Sequence, residues 1–364
     1  MYVVCARSAH TTYSTLFSCD CPFFRAAKIG SGQMTKNVVQ SNTRTKVCQP
    51  SHRQKGGSMT KMSKPPKEER IALLKRIIES PDYMTDYSPV LCDYLDDPEP
   101  EVRLLALQGL WDYPEPDLIP LLFAAAKNDP DEQVRCQAIV TLGRYVYEGE
   151  MADYDFDFDP TDEIMRLGEL SKEDFLKVKD FLLGVYRDDG KTLDERRFAV
   201  EALSFCSDQD VLTIIDEAYA HPDLKMKLSA IFSMGRNGNA RWTENILKEL
   251  YNPDRELQRE AIRAAGEVGL TEAGKDLWRL TYSDDREIQL EAIWALGQTG
   301  WEGAFQRLDE LSLLSTEPEI QETAEAALEA WYIYSGAMAD EMFDENGFDW
   351  DDELESFVEE EDDW

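Results

Sequence analysis

Apolar and polar positions along most of this chain follow a helical period, and one short pattern keeps returning. It reads Val102-Arg103-x-x-Ala106-Leu107, Val134-Arg135-x-x-Ala138-Ile139, Arg196-x-x-Ala199-Val200, Lys227-x-x-Ala230-Ile231, Gln258-x-x-Ala261-Ile262, Gln289-x-x-Ala292-Ile293 and Gln321-x-x-Ala324. With each alanine taken as zero, positions −4, 0, +1, +3 and +4 share one apolar arc, so each copy predicts one amphipathic helix. Turn signals such as Asp97-Pro98, Asp129-Pro130, His221-Pro222, Asn252-Pro253 and Ser283-Asp284 precede these helices. Before the turns lie further apolar runs, among them Leu118 to Ala125 and Val211 to Ala218, which predict a second helix per copy. The alanines are separated by 32, 61, 31, 31, 31 and 32 residues. A period of this size marks stacked repeats, each burying its apolar face only against its neighbours. The expected fold class is therefore all-α, an α-solenoid of about seven helical hairpins.

Glycines complete the repeat. Gly143, Gly235, Gly266 and Gly297 stand at +5, where a missing side chain lets the next hairpin approach. Gly238, Gly269 and Gly300 stand at +8, where a left-handed residue would end the helix at little steric cost. In this order of Asp-Pro, Val-Arg, Ala and Leu-Gly the chain resembles HEAT repeats, particularly the short bacterial type called HEAT-like phycobilin-lyase repeats, over roughly residues 85 to 335. The resemblance implies the architecture; an activity has to be argued from a site. HEAT-like repeats also build deoxyhypusine hydroxylase, whose iron site would require paired His-Glu steps. Here the three histidines are followed by Thr11, Arg53 and Pro222. No GxSxG, HExxH, Walker A or dinucleotide glycine motif occurs. The enzymatic alternative implied by the resemblance is a bilin lyase attaching a tetrapyrrole, although no residue pattern singles out a chromophore site.

Charge divides the chain unevenly. Residues 1–67 hold 11 Lys/Arg and the single acid Asp20, a net +10, whereas residues 68–364 hold 27 bases and 72 acids, a net −45. A polyanionic body repels nucleic-acid backbones and anionic membranes, so the expected partner is a basic protein. Residues 1–62 are basic, rich in Ser and Thr, and expected to be a disordered extension. They read either as an organellar transit peptide or as a mis-assigned start upstream of Met59 or Met62. The solenoid is expected over residues 63–336 and an acidic disordered tail over 337–364. No apolar run of about 18 residues is present, so no transmembrane helix is expected. Of seven cysteines, Cys92, Cys136 and Cys206 are scattered through the repeats without CxxC pairing, while Cys19-x-Cys21 is too short to argue for zinc. A reduced, cytoplasmic environment follows, with a plastid or other organelle as the alternative if residues 1–62 are a transit peptide.

Two segments break the repeat. Between the Ala138 helix and one beginning near Glu173 lies an acidic insertion of about residues 148–172, with eight acids and no base from Glu148 to Glu163. It carries Tyr154, Phe156 and Phe158, and long insertions in compact arrays often bind partners. Residues 340–364 repeat this chemistry, with 14 acids, no base, and aromatics that include Trp350 and Trp364 as apolar anchors. For both segments the alternative is a solubilising role.

Within the repeats, position −3 and the residue six before it run from Asp97/Arg103 and Asp129/Arg135 to Asn252/Gln258 and Ser283/Gln289. This describes a ladder between repeats that starts charged and becomes neutral. Position +2 is about 200° from the alanine and is expected to face solvent on a concave inner layer. Its occupants are Gln108, Val140, Glu201, Phe232, Arg263, Trp294 and Ala326. Phe232 and Trp294 would flank Arg263, with Arg259, Glu260, Leu290 and Glu291 around them. Such a strip suits a protein ligand. The reading is a non-catalytic, monomeric interaction scaffold that needs no cofactor or metal and binds a basic protein through this face, the acidic insertion and the tail.

Overall fold

A computed structural model describes residues 65–79, 85–152 and 170–335, and these contain fifteen α-helices and no strand. They fall into two compact units, one ending at Asn237 and one beginning at Gly238. The first holds α1 (Lys67–Glu79), α2 (Ser88–Cys92), α3 (Pro100–Gly109), α4 (Ile119–Asn128), α5 (Glu132–Ala152), α6 (Lys172–Arg187), α7 (Leu193–Leu203), α8 (Gln209–Tyr219) and α9 (Leu224–Asn237). The second holds α10 (Thr243–Glu249), α11 (Arg255–Val268), α12 (Gly274–Leu280), α13 (Arg286–Gln298), α14 (Ala304–Leu314) and α15 (Pro318–Tyr334).

Each even-numbered helix packs on the odd-numbered helix that follows it, from α2 on α3 to α14 on α15, which makes seven hairpins. Within each unit the odd-numbered helices, termed the inner helices, form one layer. In the first unit α1, α3, α5, α7 and α9 pack in succession, and in the second α11, α13 and α15 do the same. Helix α1 adds an inner helix ahead of the first alanine-marked hairpin.

The seven alanines explain this register. Ala106, Ala138, Ala199, Ala230, Ala261, Ala292 and Ala324 are all fully buried, each on an odd-numbered helix. A small residue there lets consecutive inner helices close to packing distance, while the branched residues at −4 and +1 fill the space around it. Leu107, Ile139, Val200, Ile231, Ile262 and Ile293 at +1 are all buried. Helix α15 departs from the pattern: Glu325 takes +1, and Glu322, Glu325 and Glu329 are exposed. Among the described residues α15 is the last helix, and a polar face of this kind suits the end of a stack.

Two of the glycine expectations are met by geometry. Gly269 ends α11 at φ 70°, and Gly300 after α13 has φ 60°, conformations that cost a side-chain-bearing residue strain. At +5, a Cβ on Gly297 would stand 2.2 Å from the Ala327 carbonyl oxygen, so α13 and α15 touch there backbone to backbone.

The acidic insertion starts later than the sequence pattern implies. Helix α5 continues for 21 residues and absorbs Glu148–Ala152, because its added turns have partners. Tyr147 meets Phe205 edge-on at 5.1 Å, and a Cβ on Gly149 would collide with the Phe175 ring of α6. Helix α6 begins at Lys172, capped by the Ser171 hydroxyl accepting from the Asp174 amide. Tyr154, Phe156, Phe158, Trp350 and Trp364 lie outside the described residues.

Candidate functional site

The inner-helix surface is organised by which charges the stack consumes. In the first unit an ion-pair ladder joins successive hairpins. Arg70 donates to Asp97 at 3.0 Å, Arg103 binds Asp129 with both Nε and Nη2, and Arg135 donates to Glu195 at 2.9 Å. Arg103 and Arg135 also donate to the carbonyls of Asp97 and Asp129, tying each helix to its own turn.

Glu195 is the irregular rung. It occupies −4 of its repeat, an apolar position in the other six, and is 2% exposed. Its carboxylate accepts from Arg135, Lys191 and the Thr192 amide, while the Thr192 hydroxyl accepts from the Glu195 amide to close a capping box. Burial pushes this carboxyl up, but the three donors outweigh it and hold the group at about 2. The rung joins α5 to α7 across 60 residues of sequence, bridging the insertion.

The neutral ladder expected for the later repeats requires correction. Gln258 and Gln289 do keep the link to their own turns, donating to the carbonyls of Leu250 and Thr281 at 2.8 and 3.0 Å. The link between hairpins, however, stays ionic and moves to the helix N-termini. Arg255 binds Asp285, and Arg286 binds Glu319 at 3.1 Å. Arg255 holds Asp285 at about 2. The signal was present as the dipeptides Asp254-Arg255 and Asp285-Arg286, 31 residues apart.

All seven +2 side chains are half-buried on the inner helices, so the expectation that they face solvent holds only in part. In the first unit, Gln108 and Val140 lie on α3 and α5, and Glu201 joins α7 to α9 by accepting from Arg197 and Ser229. Phe232 on α9 carries the Arg236 guanidinium 5.2 Å from its ring centre. In the second unit, Arg263 donates to Glu260 at 3.0 Å and to Glu291 at 3.1 Å, and Glu291 also accepts from Arg259 at 3.3 Å. Glu260 first, then Glu291 and Glu267, raise the pKa of the Arg263 guanidinium above its ordinary value. Arg263 is thus neutralised within the stack, whereas the sequence reading offered it as a cation for a ligand. Trp294 stands on α13 and Ala326 on α15, both half-buried. Phe232 belongs to the first unit, and Arg263 and Trp294 to the second.

Among the described residues no group of three or more His, Cys, Asp or Glu side chains is placed to hold a metal ion, and no helix is long and apolar enough to cross a membrane. The inner surface therefore offers half-buried aromatic and aliphatic side chains between carboxylate-rich helix faces.

Comparison with known proteins places this architecture. Residues 88–154 and 243–329 match the family model described as HEAT repeats. No curated protein matches the chain. Among solved structures it is similar to YibA of Escherichia coli, at 14% identity over 75% of this chain and 99% of that one, with a TM-score of 0.34. Human deoxyhypusine hydroxylase in complex with glycerol is similar at 16% identity, over 64% of this chain and 78% of that one, with a TM-score of 0.32. An engineered protein is similar at 17% identity, over 72% and 81% of the two chains, also with a TM-score of 0.32.

Proposed function

Because this chain is a HEAT-repeat protein, we propose that it acts as a non-catalytic scaffold or adaptor that binds a basic protein partner. The observation that carries the reading is where the positive charge goes. Residues 68–364 hold only 27 bases against 72 acids, and Arg70, Arg103, Arg135, Arg255, Arg259, Arg263 and Arg286 all bind carboxylates of the stack. The arginines hold hairpins together, and the surplus acids set the outward field. That field steers a cationic partner and repels an anionic one.

The partner engages the inner helices: Val140 and Phe232 supply apolar contact in the first unit, and in the second Trp294 does so beside the paired Arg263. The acidic segments carrying Tyr154, Phe156, Phe158, Trp350 and Trp364 add attraction and apolar anchors. The protein works as a monomer in the cytoplasm.

The test is affinity capture on the immobilised full chain, at roughly 50 mM salt and again at roughly 300 mM, with the captured proteins identified by mass spectrometry. The expected partners are basic, leave in high salt, and are retained less by a chain lacking residues 340–364. Capture of acidic proteins, or retention indifferent to salt, would refute the reading.

A further inference from the structure

Helix α6 of the first unit carries a glycine that no neighbour requires. Gly109, Gly143, Gly149 and Gly184 all lie inside helices of this unit. A Cβ on Gly109 would stand 2.8 Å from the Leu91 side chain, one on Gly143 would stand 3.0 Å from the Ala202 backbone, and one on Gly149 would collide with the Phe175 ring. Packing therefore accounts for these three. A Cβ on Gly184 would meet nothing within 4 Å. Glycine inside a helix is less stable than alanine, and among the described residues nothing offsets that cost. The missing side chain leaves this stretch of α6 open to close approach from outside.

Phe181 stands three residues before Gly184, one turn along the same stripe of α6. Its ring centre lies 4.6 Å from that of Phe123 on α4, the two planes inclined at 43°. The Lys127 ammonium lies over both rings, 5.1 Å from the Phe181 centre and 5.5 Å from the Phe123 centre. Both rings are half-buried and Lys127 is exposed. The arginines of the stack all bind carboxylates, whereas this ammonium is held by two aromatic rings. The cleft between α4 and α6 is thus already built to take an alkylammonium group, and its present occupant is a long, exposed side chain that can leave for water.

We propose that the Phe123–Phe181 cleft seats a lysine side chain of the basic partner, which displaces Lys127 while the partner backbone lies against Gly184. The inference rests on the reading of a basic partner and gives that partner one defined contact. Three observations select the occupant. Lys127 stands in for the ligand, showing that the cleft fits the charge and shape of a lysine ammonium. The net charge of −45 over residues 68–364 favours a cation arriving from outside. Asp180, exposed and four residues before Gly184 on the same stripe of α6, offers a carboxylate to a second base of the partner.

The test uses the full chain and a fluorescein-labelled Gly/Ser nonapeptide carrying three lysines, followed by anisotropy at roughly 50 mM salt. Phe123→Leu and Phe181→Leu should each weaken binding roughly two- to fivefold. Lys127→Gln should tighten it by a similar factor because the seat is vacated, whereas Lys248→Gln, which removes the same charge from the second unit, should change it much less. Gly184→Ala should weaken binding and at the same time raise the thermal midpoint, a pair of effects that a purely structural glycine would not give. The same peptide with its lysines trimethylated should bind as well or better, since rings need no N–H donor. Lys127→Gln and Gly184→Ala change exposed positions, so they keep the test open even if a Phe variant disturbs the packing of α4 on α6. Loss of binding on trimethylation, equal effects of Lys127→Gln and Lys248→Gln, or unchanged affinity in both Phe181→Leu and Gly184→Ala would overturn the proposal. If those variants still capture basic proteins as the native chain does, the scaffold reading stands without this seat; if the native chain captures none, the scaffold reading itself falls.

Discussion

Glu195→Gln tests whether the ionic rung across the insertion stabilises the first unit. The native carboxyl is held at about 2 against an ordinary 4.5, so the folded state favours its charged form. A depressed pKa contributes stability that is fully present above the unfolded value and is lost as pH falls through the folded one. From 4.5 down to about 2, the contribution at neutral pH is about 3 kcal/mol. Glutamine keeps the shape and one acceptor for the Thr192 amide but leaves Arg135 and Lys191 without a charged partner. The expected cost is therefore about 2–3 kcal/mol at pH 7, about half of that at pH 3, and close to zero at pH 2. Urea unfolding of both chains across this pH range reads the difference. Amide hydrogen exchange in α5 and α7 localises the loss, which matters because repeat arrays can unfold in parts. A cost under about 0.5 kcal/mol at pH 7, or one that does not shrink in acid, would show that the rung is a surface pair of ordinary weakness.

Two further outcomes follow from packing. Gly297→Val places side-chain atoms where the Ala327 carbonyl oxygen already leaves 2.2 Å for a Cβ, and should cost about 3 kcal/mol or prevent α13 and α15 from docking, read as a lower thermal midpoint; an unchanged midpoint would mean the helices do not touch there. Burial pushes the Cys136 thiol up to about 12, with Glu195 and Asp194 adding to it, and burial raises Cys206 as well. In the native protein at pH 8 both should resist a maleimide that labels half-exposed Cys92, and both should react after unfolding; native labelling of Cys136 at the rate of Cys92 would contradict the packing.

The frame was legible because it rests on short-range steric facts that recur. Alanine at zero does one job in every repeat, branched residues take +1 in six of the seven and glycine takes +8 in three, so a period in the sequence maps directly onto a stack. The charges were less legible. Arg263 looked available from its place on the helical wheel, but the wheel does not show that Glu291 lies on the neighbouring helix at bonding distance. The later ladder was misread for a related reason: Gln258 and Gln289 were compared with Arg103 at one fixed position, while the inter-hairpin link had moved to Arg255 and Arg286. Helix α5 outran the expected boundary because Phe175 and Phe205, distant in sequence, gave its extra turns something to pack on. Glu195 was the most informative outlier, a carboxylate in an otherwise apolar arc, which has to be paired to be buried.

The distribution of pairs also bears on how a scaffold of this kind can bind without weakening itself. A partner cation that competed for Glu291 or Asp285 would take a carboxylate from Arg263 or Arg255 and leave that guanidinium uncompensated, so part of any gain would be returned. Carboxylates exposed on α15, such as Glu322 and Glu329, carry no such obligation. Attraction to a basic partner can therefore grow on the outer face of the last helix and in the acidic segments while the rungs between hairpins stay intact. On this reasoning, replacing Glu322 and Glu329 by glutamine should weaken capture of a basic partner and leave the thermal midpoint where it was, whereas Glu291→Gln should do the reverse.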